Sequence, residues 1–392
     1  MEEHYSFFLK SNIYIYEMVM FYNAAQPSNI RSDGYSQHSQ VDWLVRQVPG
    51  REIIAGSFRV TGNLTVTKTT PAAPSTPVQV VLADNVFINP YAGMNVFISN
   101  VSTSINDRVI ESLAQYPRIC SMDTQARHTL EELTCSTESA SELKGNNGNV
   151  ILCKPNAPFS FSPNICLNKT SDNLGSSKYT FCKIMMTLSS ALEALYVSTP
   201  QPESPLINSL AFSLTNLQLH WTETLEMKNP NPVVFNINYL VTQTVLSSNS
   251  NLNVVAPNPY DSVSVSFIQQ SHRNNLYYDS NMCEYLRDIQ RVEFTINNSA
   301  YGPLTYAIGA GASPPYQDVA INYLKSLNGD PDKNSIVNRL LQENGCFGMG
   351  MAYSSAQNSK LGIALTLSST SDFNISSNPF DSCIYINGYL AL

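Results

Sequence analysis

Apolar and polar residues alternate in short stretches along most of the chain. Phe58, Val60, Leu64 and Val66 alternate with polar residues, and this period of two predicts a strand with one buried face. The segment Pro71–Pro77 is predicted to be a loop, because proline cannot donate a hydrogen bond inside a sheet. Similar patterns predict strands over Val78–Ile88, Met94–Ile105, Asn149–Cys153, Phe159–Phe161, Tyr179–Leu188, Leu210–Leu225 and Val233–Leu246.

A second series of strands is predicted after about residue 254. Its members are Ser262–Ile268, Arg291–Asn297, Leu304–Ile308, Cys346–Tyr353, Lys360–Leu367 and Cys383–Leu392. Helix-forming composition interrupts the first series at Asp123–Leu133, with Asp123 as N-cap, and the second at Gln317–Leu327 and Lys333–Gln342. The predicted fold class is all-β, with two tandem eight-stranded jelly-roll β-sandwiches that carry short helical insertions.

Polar and irregular segments set the predicted domain limits. Residues 1–50 are predicted to be an N-terminal arm, because Pro27–Gln47 is polar and irregular. The run of Ser and Asn at Ser247–Asn253 is predicted to be the boundary between the sandwiches. The first jelly roll is therefore placed at residues 51–250 and the second at residues 251–392.

Composition and charge narrow the classes of function. Charged residues make up only 13% of the chain, against about 25% in an average soluble domain. The formal net charge is −8, and the first fifty residues contain only three basic residues, Lys10, Arg31 and Arg46. Because neutralising phosphates requires clustered cations, no direct binding of nucleic acid is expected. A weakly charged surface rich in tyrosine is typical of extensive protein–protein contact.

The cysteines and the N-terminus bear on the cellular compartment. None of the eight cysteines forms a C-x-x-C pair, and the acidic N-terminus does not resemble a secretory signal, so free thiols in a reducing compartment are expected. The Asn-x-Ser/Thr triplets are accordingly interpreted as unmodified. The apolar stretch Asn12–Tyr22 is too short to span a membrane. It is expected to dock on a neighbouring subunit or its own core, with an apolar surface such as a membrane as the alternative.

The sequence contains no recognisable catalytic constellation. The histidines are widely separated and match no metal-binding spacing; they are His4, His38, His128, His220 and His272. The glycine run Gly345–Gly350 is predicted to lie in a strand, where it permits close packing rather than phosphate binding. Glu131 and Glu132 are adjacent and would face different sides of a helix. No catalytic, cofactor-binding or metal-binding residue is therefore predicted, no cofactor is expected, and the chain is predicted not to be an enzyme.

Several strand and turn motifs carry a family resemblance. The Ser/Thr-rich strand Val101–Ile105 is followed by Ile110-Glu111-Ser112 and then by Tyr116-Pro117. This order resembles the first sandwich of viral double jelly-roll major capsid proteins, the lineage shared by adenoviruses, tailless membrane-containing phages and polinton- or adinto-like elements. The resemblance covers about Gly56–Leu392. Segments that resemble the last strands of the second sandwich are Phe347–Gly350, Leu361–Leu365 and Ile384–Leu390.

The resemblance implies a structural role. It implies a homotrimer whose six jelly rolls form a pseudo-hexameric capsomer of an icosahedral virion, with neighbouring capsomers as partners. It also implies penton and minor capsid proteins as partners and a contact between the N-terminal arm and an internal membrane. The location implied is the virion capsid, after synthesis and assembly inside the host cell.

Two other functions remain open at this point. One is a single-jelly-roll shell protein whose residues after about Leu252 form a protruding domain, although such proteins usually carry a basic arm. The other is a carbohydrate-binding β-sandwich, like a spike or a lectin, for which Tyr277-Tyr278-Asp279 is the best local candidate.

Overall fold

The computed structural model describes fifteen segments of the chain. They are residues 19–127, 150–151, 155–170, 172–176, 178–197, 207–226, 232–245, 249–255, 259–282, 289–296, 299–307, 316–327, 348–357, 360–367 and 380–391. The predicted helix Lys333–Gln342 lies outside them.

The first sandwich contains strands β1 to β15. Their bounds are β1 Met20–Ala25, β2 Tyr35–Ser36, β3 Gln40–Arg46, β4 Arg51–Ile53, β5 Arg59–Thr70, β6 Ala73–Gln79, β7 Val86–Ile88, β8 Ile98–Ile105, β9 Arg108–Ala114, β10 Val150–Ile151, β11 Ala157–Phe161, β12 Leu174–Gly175, β13 Phe181–Leu188, β14 Tyr196–Val197 and β15 Ser209–Leu225. One sheet runs β3-β13-β8-β9, and the facing sheet has the central order β11-β5-β15. Strands β1, β2 and β4 also pair with β15, β12 pairs with β4, and β6 pairs with β5.

The second sandwich contains strands β16 to β23. Their bounds are β16 Val234–Val245, β17 Asn249–Val255, β18 Tyr260–Gln269, β19 Ile289–Ile296, β20 Ser299–Ala307, β21 Gly348–Gln357, β22 Lys360–Leu367 and β23 Phe380–Ala391. One four-stranded sheet has the order β16-β23-β18-β21, and the other has the order β17-β22-β19-β20.

Both sandwiches have the same strand order. The eight strands of the second sandwich can be numbered one to eight along the chain. Neighbouring strands then follow the order 1-8-3-6 in one sheet and the order 2-7-4-5 in the other. The first sandwich repeats this order when β1, β3, β5, β8, β9, β11, β13 and β15 are counted in the same way. Eight antiparallel strands in two facing sheets with this crossing pattern form a jelly roll. The predicted fold of two tandem jelly rolls is therefore confirmed, and the two units are called roll 1 and roll 2.

Alternating burial explains why these residues form strands. In β5 the residues Val60, Leu64 and Val66 are buried while every second residue faces outward, as the sequence pattern predicts. In β13 the same alternation buries Cys182, Ile184, Met186 and Leu188. A strand with this period places one row of side chains in the core between the sheets.

Within the described residues, three helices accompany the strands: α1 Tyr116–Arg127, α2 Ala191–Ala194 and α3 Tyr316–Ser326. Helices α1 and α3 occupy the same place in the two rolls, between the fifth and sixth strands. The prediction for α3 is confirmed within one residue at each end. The prediction that Asp123 caps a helix is wrong, because α1 begins at Tyr116. Pro117 suits the first turn of this helix, where the missing N–H costs no hydrogen bond.

The N-terminal region differs from the predicted arm. Strands β1 and β2 pair with β15, and β3 pairs with β13, so Met20–Arg46 provides three strands of roll 1. Val41, Trp43 and Val45 are almost completely buried and alternate with the more exposed Asp42 and Leu44. Three apolar residues at period two are enough to fix a strand even within polar surroundings.

The strand pairing also places the junction of the rolls before the predicted boundary. Strand β16 pairs along its whole length with β23, the last strand of roll 2. Residues 249–253 of the Ser/Asn run lie in β17, which pairs with β22 and buries Leu252 and Val254, while residues 247 and 248 lie outside the described residues. The stabilisation from backbone pairing and from burying two apolar residues is greater than the preference of Ser and Asn for turns. The rolls therefore meet between β15, which ends at Leu225, and β16.

Three predicted segments near residue 90 also differ. The predicted loop Pro71–Pro77 falls largely within β6, which pairs only with β5 and so tolerates proline as an edge strand. The predicted strand Val78–Ile88 is broken by a 3₁₀ turn at Leu82–Asp84, and Met94–Ile105 begins with a 3₁₀ helix at Gly93–Phe97. Such turns are not visible in a pattern of alternating residues.

Candidate functional site

The described residues contain no group of three or more His, Cys, Asp or Glu side chains able to hold a metal ion. His220 lies beside Thr61 in the paired strands β15 and β5, with 2.9 Å between Nε2 and Oγ1. Burial and the nearby Arg59 lower the pKa of His220. His4, His128, Glu131 and Glu132 lie outside the described residues.

The glycine run at 345–350 serves packing where it is described. A Cβ atom on Gly348 would lie 2.4 Å from the Tyr323 ring, and one on Gly350 would lie 1.9 Å from Ser326 Oγ. Both neighbours belong to α3, so these glycines let the helix approach β21 closely. The prediction of close packing is confirmed for these two glycines.

The carbohydrate candidate at Tyr277–Asp279 does not form a free platform. The Tyr278 ring stacks on His272, with 3.9 Å between ring centroids and 13° between planes. Asp279 accepts hydrogen bonds from Asn89 Nδ2 at 2.7 Å and from the Asn281 backbone N–H at 2.9 Å. Its carboxylate therefore holds the two rolls together rather than facing a sugar.

Roll 1 and roll 2 meet at a junction that is rich in buried polar groups. Glu111, in β9, is 1% exposed. Its Oε2 accepts a hydrogen bond from the Cys166 N–H at 2.8 Å, and its Oε1 accepts one from the Asn238 N–H at 3.3 Å. Cys166 belongs to roll 1 and Asn238 to the first strand of roll 2. One carboxylate therefore links the backbones of both rolls.

Helix α1 lies at this junction. Tyr116 is fully buried; its hydroxyl donates to Asn95 Oδ1 at 2.9 Å and accepts from the Asn164 N–H at 2.6 Å. Six residues further along the helix, Met122 Sδ lies 3.3 Å from the Ser266 hydroxyl of roll 2. The helix therefore packs both on its own roll and on its neighbour.

Arg118 brings a positive charge into the same junction. The side chain is 2% exposed, and its Nη1 donates to Gln115 Oε1 and contacts the Cys383 thiol of roll 2. Within the described part of the chain, its Nε and Nη2 have no hydrogen-bond partner. The two partners of this buried guanidinium come from different rolls, Gln115 from roll 1 and Cys383 from roll 2.

A loop of roll 2 completes the junction. Residues 270–282, which follow the third strand of roll 2, pack on the segment around α2 of roll 1. The contacts are Val197 N–H to Leu276 O at 2.7 Å, Ser280 Oγ to Leu192 O at 3.2 Å and Asn281 Nδ2 to Glu193 O at 2.8 Å. Backbone groups make most of these hydrogen bonds, and they fix the position of roll 2 relative to roll 1.

The junction carboxyls have raised pKa values. Burial raises the pKa of Glu111, although Lys169 and the two backbone hydrogen bonds oppose the shift. Burial also raises the pKa of Glu193, against the nearby Arg273. The pKa of Asp279 is raised to about 6 by desolvation, which outweighs its hydrogen bonds and the charge of Arg118. All three shifts have the same sign.

We expect the protein to be more stable at pH 5 than at pH 7.5. A carboxyl whose folded pKa lies above its unfolded value binds more protons when folded, so the free energy of unfolding falls as the pH rises through that window. For Asp279 the window extends from its ordinary value of 3.8 to about 6. Replacing Asp279→Asn should flatten this dependence. The measurement is the thermal midpoint at both pH values.

Asp381→Asn is the matched control for this prediction. Burial raises the pKa of Asp381, but hydrogen bonds from Gln270, Arg273 and Thr244 outweigh it and lower the pKa below 3.8. This carboxylate is ionised throughout the range from pH 5 to 7.5, so its removal should change the midpoint equally at both. An Asp279→Asn variant with the wild-type pH dependence would contradict the assignment to Asp279.

The four cysteines within the described residues are free and buried. They are Cys120, Cys166, Cys182 and Cys383. Burial raises the pKa of Cys120 and of Cys182 to about 12, so neither is a reactive thiolate. The other four cysteines lie outside the described residues. No helix within the described segments is long and apolar enough to cross a membrane.

Sequence reasoning found part of this junction and missed the rest. Glu111 and Tyr116 were singled out as family motifs, and the structure brings both to the junction. Arg118 and the roles of Asn89 and Asp279 were not predicted. A buried charged residue has no signature in the local sequence when its partners come from distant strands.

Comparison with known proteins bears on the fold. No family model and no curated protein sequence matches the chain. Among solved structures, the Faustovirus major capsid protein matches with a TM-score of 0.65 and 9% identity, covering 98% of this chain and 92% of that one. The PBCV-1 virus capsid matches with a TM-score of 0.57 and 9% identity, covering 97% and 96%. A structure of the Sputnik virophage matches with a TM-score of 0.56 and 12% identity, covering 95% and 86%.

These similarities extend over both rolls. The chain therefore has the double jelly-roll fold found in these viral proteins. The alternative of a single jelly roll with a protruding domain is wrong, because residues 234–391 form a second jelly roll with the same strand order.

Proposed function

We propose that this chain is a structural major capsid protein whose homotrimers form the pseudo-hexameric capsomers of an icosahedral virion. The observation that carries the proposal is the duplication of one jelly roll within a chain. Three copies of a protein with two equivalent rolls present six similar faces, so a trimer tiles a lattice with near-equivalent contacts. The double jelly-roll capsid proteins of Faustovirus and PBCV-1 support this, because the similarity covers nearly the whole length of each protein.

The junction suits this role. A subunit of a capsomer must hold its two rolls in one fixed orientation. Glu111, Arg118 and Asp279 fix that orientation, because each contacts groups that include one from the other roll. Buried polar contacts of this kind favour one arrangement over others, because any slip leaves donors or charges unpaired. No catalytic role is assigned to these residues, and the protein is proposed not to act as an enzyme.

The first test is the oligomeric state of the purified full-length chain. Native mass spectrometry should find a stable species of three times the chain mass of 43.3 kDa. Negative-stain microscopy should show particles with a hexagonal outline. A monomer that binds glycans would contradict the proposal and favour the carbohydrate-binding alternative.

The further partners belong to the same proposal. They are neighbouring capsomers, penton and minor capsid proteins and, through the N-terminal segment, an internal membrane. The pairing of β1 shows where a truncation must stop, because Met20–Ala25 belongs to a sheet of roll 1. Removing residues 2–18 leaves β1 intact and tests the segment alone. Unchanged assembly and unchanged lipid content in that variant would exclude the N-terminal contact.

A further inference from the structure

One hairpin of roll 1 projects from its sandwich. Strand β6 pairs only with β5, at Thr67↔Gln79, Lys68↔Val78 and Thr70↔Ala73. Residues 74–78 are exposed on both faces of the strand, whereas a strand within a sandwich buries one face. Hairpin 65–84 comprises β5 from Thr65, β6 and the turn that follows.

The exposed part of this hairpin is apolar and uncharged. Val78, Val81 and Leu82 are 44%, 51% and 61% exposed. Residues 71–82 contain no charged side chain. Contact surfaces between proteins are depleted of charged residues at their centres. The composition therefore suits a protein partner.

The base of the hairpin is rigid. Lys68 and Asp84 form an ion pair with side chains 8% and 0% exposed, and Asp84 Oδ2 accepts a hydrogen bond from the Val81 N–H at 2.7 Å. Val80 is fully buried next to these groups. The apolar residues are thus held in a fixed place, so little conformational entropy is lost when a partner binds.

The duplicated fold indicates which partner covers the hairpin. Hairpin 65–84 leads into the connection between the third and fourth strands of roll 1. The equivalent connection of roll 2 begins with residues 270–282, and this loop is covered within the chain by roll 1, through Leu192, Glu193 and Val197. Within the described residues, β6 pairs with β5 of roll 1 and with no strand of roll 2, and Val78, Val81 and Leu82 remain exposed. Roll 2 of another copy would supply the missing neighbour.

We propose that hairpin 65–84 docks on roll 2 of a second copy of this chain. The contact is heterologous, since it joins roll 1 of one copy to roll 2 of the next. Repeated around an axis, such a contact closes a ring in which the two kinds of roll alternate. The proposal rests on the proposed capsomer function and deepens it by naming the surface that joins the copies. Pro74 and Pro77 lack backbone N–H groups, so side chains rather than an added strand make the contact.

The test is a variant with Val81→Asp and Leu82→Asp in the full chain. Burying two unpaired carboxylates in an apolar contact should raise the dissociation constant of the trimer at least about 100-fold. Because both side chains are exposed in one chain, the thermal midpoint of the monomer should change little. Analytical ultracentrifugation over a concentration series measures the association. Val255→Asp, at a position 66% exposed in roll 2, is the matched control and should remain trimeric.

The outcomes separate this inference from the proposed function. A monomeric wild type contradicts the proposed function. A trimeric wild type together with a trimeric Val81→Asp/Leu82→Asp variant contradicts only the hairpin contact. If the double variant fails to fold, hydroxyl-radical footprinting of the wild type tests whether the hairpin is covered in the trimer. Val78, Val81 and Leu82 should then be oxidised more slowly in the trimer than in the diluted monomer, and equal rates would overturn the proposal.

Discussion

Replacing Trp43→Ala should lower the free energy of unfolding by about 3–5 kcal/mol, the usual cost of removing a large buried aromatic side chain. Trp43 is 1% exposed and lies in β3, where Ile184 of β13 is its register partner. The substitution leaves a large void between the two sheets of roll 1, which the surrounding side chains fill only in part. Urea unfolding, followed by circular dichroism, measures the effect.

Leu44→Ala is the control for this substitution. Leu44 is the next residue along β3, faces the other side of the sheet and is 37% exposed. Its truncation should change the free energy of unfolding by no more than about 0.5 kcal/mol, because little packing is lost at the surface. The two variants distinguish the N-terminal arm that the sequence predicts from the buried strand β3 that the structure shows. If residues 1–50 were a detached arm, Trp43→Ala would be as neutral as Leu44→Ala.

The parts of the fold that sequence predicted are those with a local signal. The period of two placed β5, β13 and β15, because each alternates apolar and polar residues over at least eight positions. The spacing of apolar residues placed α3 in the same way. Strand β3 was missed because only three apolar residues carry its signal, and turn-forming residues surround it.

The junction could not be predicted for a different reason. Glu111 finds its partners 55 positions away, at Cys166, and 127 positions away, at Asn238. Asn89 and Asp279 are 190 positions apart. Only the folded topology brings such residues together, and a single sequence gives no measure of contact between them. The resemblance to capsid proteins identified the segment but not the function of its side chains.

The substitution Lys68→Met should lower the free energy of unfolding by about 3–5 kcal/mol, about as much as Trp43→Ala, but for an electrostatic reason. It leaves the carboxylate of Asp84 without its cation in a site where that side chain is fully buried. Adding Asp84→Asn removes the unpaired charge while retaining an oxygen to accept from the Val81 N–H. The double variant should therefore recover most of the loss.

The control for this ion pair is Lys183→Met. Lys183 Nζ lies 4.0 Å from Asp42 Oδ2, and the lysine side chain is 41% exposed, so this pair should contribute less than about 1 kcal/mol. Urea unfolding gives the three free energies, and hydrogen exchange of residues 65–84 shows whether the hairpin loosens. If Lys68→Met were as mild as Lys183→Met, the ion pair would not hold the base of the hairpin. Since the proposed contact between copies requires a rigid base, a destabilised hairpin in Lys68→Met should also weaken the trimer, and the Asp84→Asn addition should restore it.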